Sequence, residues 1–268
     1  MLHNGKLIRK VSNKKPKKFK TWPGGPSKPL LLPSKKGYNR FTWNFRREAL
    51  PSIEKVFIFG GDAGANVGPG NYTLKLSLDD MTSEAEVTVL ANPKVKGSPA
   101  AYAEQQEMLE SIESTLKTIH ESVNDMRSAK SQLEGFAKLL EDNDDSKALL
   151  EKGEALVKRI VSWEENLIQA KQKTFQDVIN FNNKLNAQLM HLKGYIDAAE
   201  PKVTQGAKES HRENEPRVRA PKRRSVGQTA EAVRRGVLTR AFAGLRWIGL
   251  WVHSAAWQRG AVRYRAPR

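Results

Sequence analysis

The sequence predicts an α+β chain in two domains: a small antiparallel Ig-like β-sandwich over residues 1–93, then a long antiparallel helical hairpin with a third, shorter helix over 94–205. Three observations carry that class. Residues 37–46 and 69–78 alternate large apolar with polar side chains, the period of half-buried antiparallel strands. From Leu109 to Leu140 the apolar spacing changes to a 3-4-3-4 ladder, a heptad-type helical seam. The stretch Asp142-Asn143-Asp144-Asp145-Ser146 then separates this seam from a second amphipathic run, as in two helices folded back on each other.

Taken in order, Gly5-Lys6-Leu7-Ile8-Arg9-Lys10-Val11 reads as one short strand after a turn. Residues 12–36 form a basic Pro/Gly-rich connector with five lysines between Lys14 and Lys20. In the next run Phe41, Trp43 and Phe45 share a face opposite Arg40, Thr42, Asn44 and Arg46. Val56-Phe57-Ile58-Phe59 is compact and apolar, so it predicts another strand. The five glycines between Gly60 and Gly70 invite a phosphate-loop reading. No Gly-Lys-Ser/Thr follows them, and a strand rather than a helix comes next, so a mobile loop before a hairpin is the better interpretation. That hairpin runs Tyr72, Leu74, Leu76, Leu78 on one face, turns at residues 79–82, and returns with Ala85, Val87 and Val89. With about five short strands, residues 5–91 are enough for a small sandwich.

Ser98 can cap the first long helix with Pro99 at its first position. Its seam is Leu109, Ile112, Leu116, Ile119, Val123, Met126, Leu133 and Leu140. A second helix from about Lys147 buries Leu156, Ile160, Trp163, Leu167 and Ile168 among others. Leu185, Leu189, Leu192 and Ile196 mark the third.

Net charge of +17 suggests a nucleic-acid partner until it is divided along the chain. Residues 1–47 hold 14 Lys/Arg and no acid, and residues 206–268 hold 15 against 4 acids, whereas the regions between are mildly acidic. The lysines from Lys14 to Lys20 read as a solvated loop, with phosphate binding as the alternative. From residue 206 arginine replaces lysine and half of the tryptophans appear (Trp247, Trp251, Trp257). That tail reads as disordered or frameshifted, the alternative being a cationic amphipathic helix for an anionic membrane or nucleic acid.

Catalytic signals are missing from the pattern. There is no cysteine, so no thiolate nucleophile or disulfide framework. His120 and His191 sit on helices without a second ligand at i+3 or i+4, which predicts surface histidines rather than metal ligands. Acid neighbours such as Asp144/Asp145 and Glu164/Glu165 point apart on a helix and make no opposed glycosidase pair. The expected site list is therefore empty: no catalytic residue, no cofactor, no metal. The start has no apolar stretch after its charges, so no signal peptide is expected and the chain expressed alone would stay in the cytoplasm.

The order of motifs resembles the C-terminal region of secreted bacterial sortilin-like, BNR-repeat β-propeller proteins, often labelled glycosyl hydrolases. The resemblance rests on Gly5-Lys6-Leu7-Ile8-Arg9, Gly37-Tyr38-Asn39-Arg40-Phe41-Thr42-Trp43-Asn44-Phe45-Arg46, Pro69-Gly70-Asn71-Tyr72-Thr73-Leu74-Lys75-Leu76 and the link Ala91-Asn92-Pro93. It spans about residues 5–209. It implies a non-catalytic accessory region of a secreted, periplasmic or cell-surface parent. Its implied partners are an upstream propeller and a cell-surface or glycan ligand. Two departures stand out: the propeller motifs do not occur here, and the final helix expected after Gly206-Ala207-Lys208 gives way to the Arg-rich tail. The lowest-ranked reading is a free-standing glycoside hydrolase.

Overall fold

The computed structural model describes residues 1–17, 19–58, 60–140 and 146–214 and is α+β, with a four-stranded antiparallel sheet and four α-helices. Among the described residues the chain divides into two compact units, one of residues 1–130 and 157–214, the other of residues 131–156. The expected tail beyond residue 214 and the acidic turn 141–145 lie outside the described residues.

In the first unit the sheet order is β2-β1-β3-β4. Here β1 is Leu2–His3, β2 Lys6–Leu7, β3 Gly70–Leu78 and β4 Met81–Val89. Asn4 and Gly5 join β1 to β2 with φ of +48° and +75°, the left-handed pair that a two-residue hairpin demands. The expected strand over 5–11 is thus confined to β2. β3 and β4 pair along their whole length, from Gly70↔Val89 to Leu78↔Met81, around Asp79-Asp80. The turn is tighter than residues 79–82, because Asp79 takes φ +49° and closes the ribbon in two residues.

Two predicted strands do not form. Over 37–46 the pairing is a single antiparallel bridge, Arg46↔Asn66. Phe41 and Trp43 are half-buried and Thr42 and Asn44 exposed, so the alternation of faces is real. Phe45 ends it with φ +53°, a left-handed kink that an extended ladder cannot absorb. Val56 and Ile58 are buried, but Val56 N–H donates back to Ile53 O at 3.2 Å and Ile58 N–H to Gly24 O at 3.3 Å. They turn inward as a plug.

The helices follow their period closely. α1 is Pro99–Leu140, α2 Lys147–Leu167 and α3 Leu185–Ile196, with a 3₁₀ turn at Phe175–Ile179. Ser98 Oγ accepts from Ala101 N–H at 3.1 Å, the expected cap. The seam residues Leu109, Ile112, Leu116, Ile119 and Val123 are all at most 1% exposed. They share a core with Leu167, Ile168, Leu185, Leu189 and Ile196, and also with Leu50, Ile53, Val56, Ile58 and Ala65. The core therefore does not stop at residue 93.

The helix expected to be lost near residue 206 is present. α4, Gln205–Asn214, buries Ala207 in the same core. Thr204 Oγ1 accepts from Ala207 N–H at 3.2 Å, Lys208 pairs with Glu104, and His211 Nε2 meets Ser111 Oγ at 2.8 Å. The Arg-rich drift in composition conceals one more packed turn-and-helix.

The second unit is described by the α1 residues from Ser131 and the α2 residues up to Leu156. Leu133 and Leu156 are buried there, and Leu139 is exposed.

Candidate functional site

The stretch 46–68 is irregular, yet its backbone polar groups must still be paired once buried. Side chains from the helices do this in place of a ladder. On α1, His120 Nδ1 bonds Pro51 O at 2.5 Å, Asn124 Nδ2 donates to Ser52 O at 2.9 Å, and Arg127 Nη1 to Glu54 O at 2.6 Å. Trp22 Nε1 donates to Val56 O at 2.8 Å, and Tyr72 Oη to Gly68 O at 2.7 Å.

At the glycine-rich loop the partners are charged. Lys193 of α3 donates from Nζ to Ala63 O and stands 3.8 Å from Glu113 Oε1 on α1. Ala65 N–H donates to Glu113 Oε1 at 2.5 Å, and Arg47 Nη1 lies 3.8 Å from Glu113 Oε2. Arg46 Nη1 donates to Gly64 O at 2.9 Å and to Asp197 Oδ2 at 3.3 Å, while Asn66 N–H donates to Asp197 Oδ1 at 2.8 Å. Arg47 Nη2 adds Gln106 Oε1 at 2.8 Å, and Gln106 Nε2 reaches Asn66 O at 3.3 Å.

These groups are largely out of water: the Lys193 side chain is 7% exposed and that of Glu113 12%. Burial pushes the Glu113 carboxyl above its ordinary range, against the Ala65 N–H, Lys193 and Arg47, which favour the anion. Burial likewise pulls the Lys193 ammonium below its ordinary value, against Glu113 and Asp197. A buried Lys–Glu pair with displaced titrations is the kind of group that serves as a base or nucleophile. Here Lys193 is engaged by Ala63 O and Glu113 by Ala65 N–H, so the pair acts as a clamp on the loop.

Gly64 explains why the loop can sit so close. A Cβ there would fall 2.5 Å from Arg47 O, and closer still to Glu48 O. The glycine permits backbone-to-backbone approach. The loop expected to be mobile is bonded at 63–66 by four charged side chains.

His120 corrects a second expectation. It is not a surface residue: it is fully buried, with Nε2 2.7 Å from Asn186 Oδ1 on α3. Its two nitrogens tie residue 51 to α3, which leaves neither for a metal. His191 is exposed, as expected. Among the described residues no group of three or more His, Cys, Asp or Glu is placed to hold a metal ion. Among the same residues no helix is long and apolar enough to cross a membrane.

The clamp was missed because its members are dispersed over 46–197 in the sequence. One signal was legible. Lys193 stands four residues after Leu189 and three before Ile196, on an apolar stripe where a lone lysine needs a partner. No family model, no curated protein and no solved structure matches the chain.

Proposed function

We propose that this chain is a non-catalytic accessory region of a larger exported protein, serving to pack against and present a preceding domain of the propeller type. The carrying observation is the β3–β4 ribbon. Its polar face holds Thr73, Lys75, Ser77, Thr82, Glu84 and Glu86, and its other face is apolar apart from Ser83, which pairs with Leu76. Tyr72 is buried at the root, but Leu76, Leu78 and Met81 are 60%, 60% and 67% exposed. A two-stranded ribbon with one apolar face is marginal in water on its own. Such a face belongs against another surface.

The sheet register is compatible with that occupant. Leu2 pairs antiparallel with Thr73, so a chain preceding Met1 that kept this pairing would run beside β3 toward Leu76 and Leu78. The clamp supports the same reading, since its buried charges hold the loop at 63–66 that leads into the ribbon rather than open onto solvent. In this account the β region is the Ig-like module of the parent and α1 with α2 its antiparallel hairpin. The parent would be secreted, periplasmic or at the cell surface.

Hydrogen exchange tests it. The gene's in-frame upstream region is expressed together with this chain, and amide exchange over residues 74–85 is compared with the chain alone. The longer protein is expected to protect those amides. Equal exchange, or no in-frame upstream region, overturns the proposal, as does turnover of any glycoside by the purified chain.

A further inference from the structure

The ribbon is one uncovered surface; the other is basic. Ser12 and Leu31 form a parallel bridge, with Leu32 N–H donating to Ser12 O at 3.1 Å. Because the bridge is parallel, the two segments run in the same direction where they meet, and lysines follow within a few residues on each. One carries Lys14, Lys15 and Lys17, the other Lys35 and Lys36, and all five are exposed. Nothing in the sequence places these two runs together.

Both runs are held in shape. Ser12 Oγ accepts from Lys14 N–H at 3.1 Å. Downstream, Trp22 is anchored through Nε1 to Val56 O at 2.8 Å. In the second run Asn39 closes a turn from both sides, accepting Lys35 N–H at 3.0 Å and donating to Lys35 O at 2.8 Å and Gly37 O at 2.9 Å. At the apex of that turn Tyr38 is 92% exposed, flanked by Lys36 and Arg40. Among the described residues Lys20 finds an acid, Glu54 at 3.0 Å, and no ion pair joins Lys14, Lys15, Lys17, Lys35, Lys36 or Arg40 to any.

We infer that this face binds a linear acidic polysaccharide, one bearing uronate or sulfate groups. Lysines are flexible point charges that suit dispersed anionic groups, where the rigid fork of arginine suits paired phosphate oxygens. One presented tyrosine ring offers a platform for a sugar face. Unstructured nucleic acid asks for successive aromatic platforms, and the face presents one fully exposed ring. A membrane surface asks for a continuous apolar side to insert, and among the described residues beside these lysines the exposed large apolar side chains other than Tyr38 are only Phe19 and Leu30, 37% and 45% exposed. The inference gives a ligand to the accessory region proposed above and rests on that reading for its setting.

The test uses the full chain, so that residues 215–268 contribute equally to every variant. Binding to polygalacturonate and heparin is measured in 0.1 M salt beside oligo(dT) and phosphatidylglycerol vesicles. Replacing Lys14, Lys15, Lys35 and Lys36 by Gln is expected to weaken glycan binding roughly tenfold or more. The same net change at the exposed Lys152, Lys158, Lys171 and Lys202 is expected to leave it nearly unchanged. Tyr38→Ala should weaken glycan binding further, and Tyr38→Phe should not. Equal losses for the two four-lysine variants, indifference to Tyr38→Ala, or tighter binding of oligo(dT) or vesicles would each overturn the assignment. Those results leave hydrogen exchange over residues 74–85 untouched, so this inference and the accessory reading fail separately.

Discussion

Lys193 is a charged side chain on the apolar stripe of a core helix, and its presence there must be balanced locally. Its ammonium donates to Ala63 O and faces Glu113, which in turn accepts Ala65 N–H. Removing one member of such a pair leaves the other buried and uncompensated, which costs more than removing both. Lys193→Met is therefore expected to destabilise the protein by about 3–5 kcal/mol. Adding Glu113→Gln should recover part of that loss, because Gln still accepts Ala65 N–H without burying a lone anion. The pH dependence follows from the direction of the Glu113 shift. Burial raises the folded carboxyl above its unfolded value, so the folded state holds this proton more tightly. Stability from this group is present at low pH and falls as pH rises through the folded value. The Lys193→Met loss should shrink as the solution is acidified from neutrality toward the ordinary carboxyl range, since protonation neutralises the stranded Glu113. Thermal melts of the single and double variants across that window check both points. A loss that is the same at every pH, with no recovery in the double variant, would sink the clamp.

At the scale of elements, what was legible and what was not have one physical explanation. Helices α1, α2 and α3 were readable because their burial is set by period, and the seam from Leu109 to Val123 is buried as the spacing dictates. The β3–β4 hairpin was readable for the same reason at period two. The alternation at Phe41, Trp43 and Phe45 reported two faces, but a strand also needs a neighbour for its backbone, and that partner is invisible in local pattern. For residues 51, 52 and 54 the neighbour is a column of α1 side chains one to two turns apart, His120, Asn124 and Arg127. α1 is thus both a core helix and a surrogate strand. His120→Leu would leave Pro51 O and the Asn186 amide without partners and is expected to cost about 2–4 kcal/mol. Lys117→Ala, three residues away on the solvent face, should stay within about 0.5 kcal/mol. Denaturant melts that rank the two variants equally would refute the column's role.

For the molecule as a whole, the question is where the packed chain ends. Composition turns at residue 206, where arginine begins to displace lysine, and that drift drew an expected boundary inside α4, which runs nine residues past it. Packing answers to side-chain contacts rather than to average composition. α4 meets the core through Ala207 and is fastened to α1 at two further points, Lys208 on Glu104 and His211 on Ser111. The exposed ion pair contributes little by itself, since surface pairs are worth about 0–1 kcal/mol. Most of the stabilisation should come from burying the apolar side of the helix. Ala207→Asp sets a carboxylate at a position that is 5% exposed and within the main core cluster. It is expected to lower stability by about 2–4 kcal/mol. Gly206→Asp, on the adjacent exposed position, introduces the same charge and the same length of side chain. It should leave the core intact, with a loss near the ~1 kcal/mol or less of a surface helix change. If the two substitutions gave equal melting temperatures, α4 would be an ornament on the surface and the packed chain would end before Gln205. A clear gap between them carries the fold through Asn214.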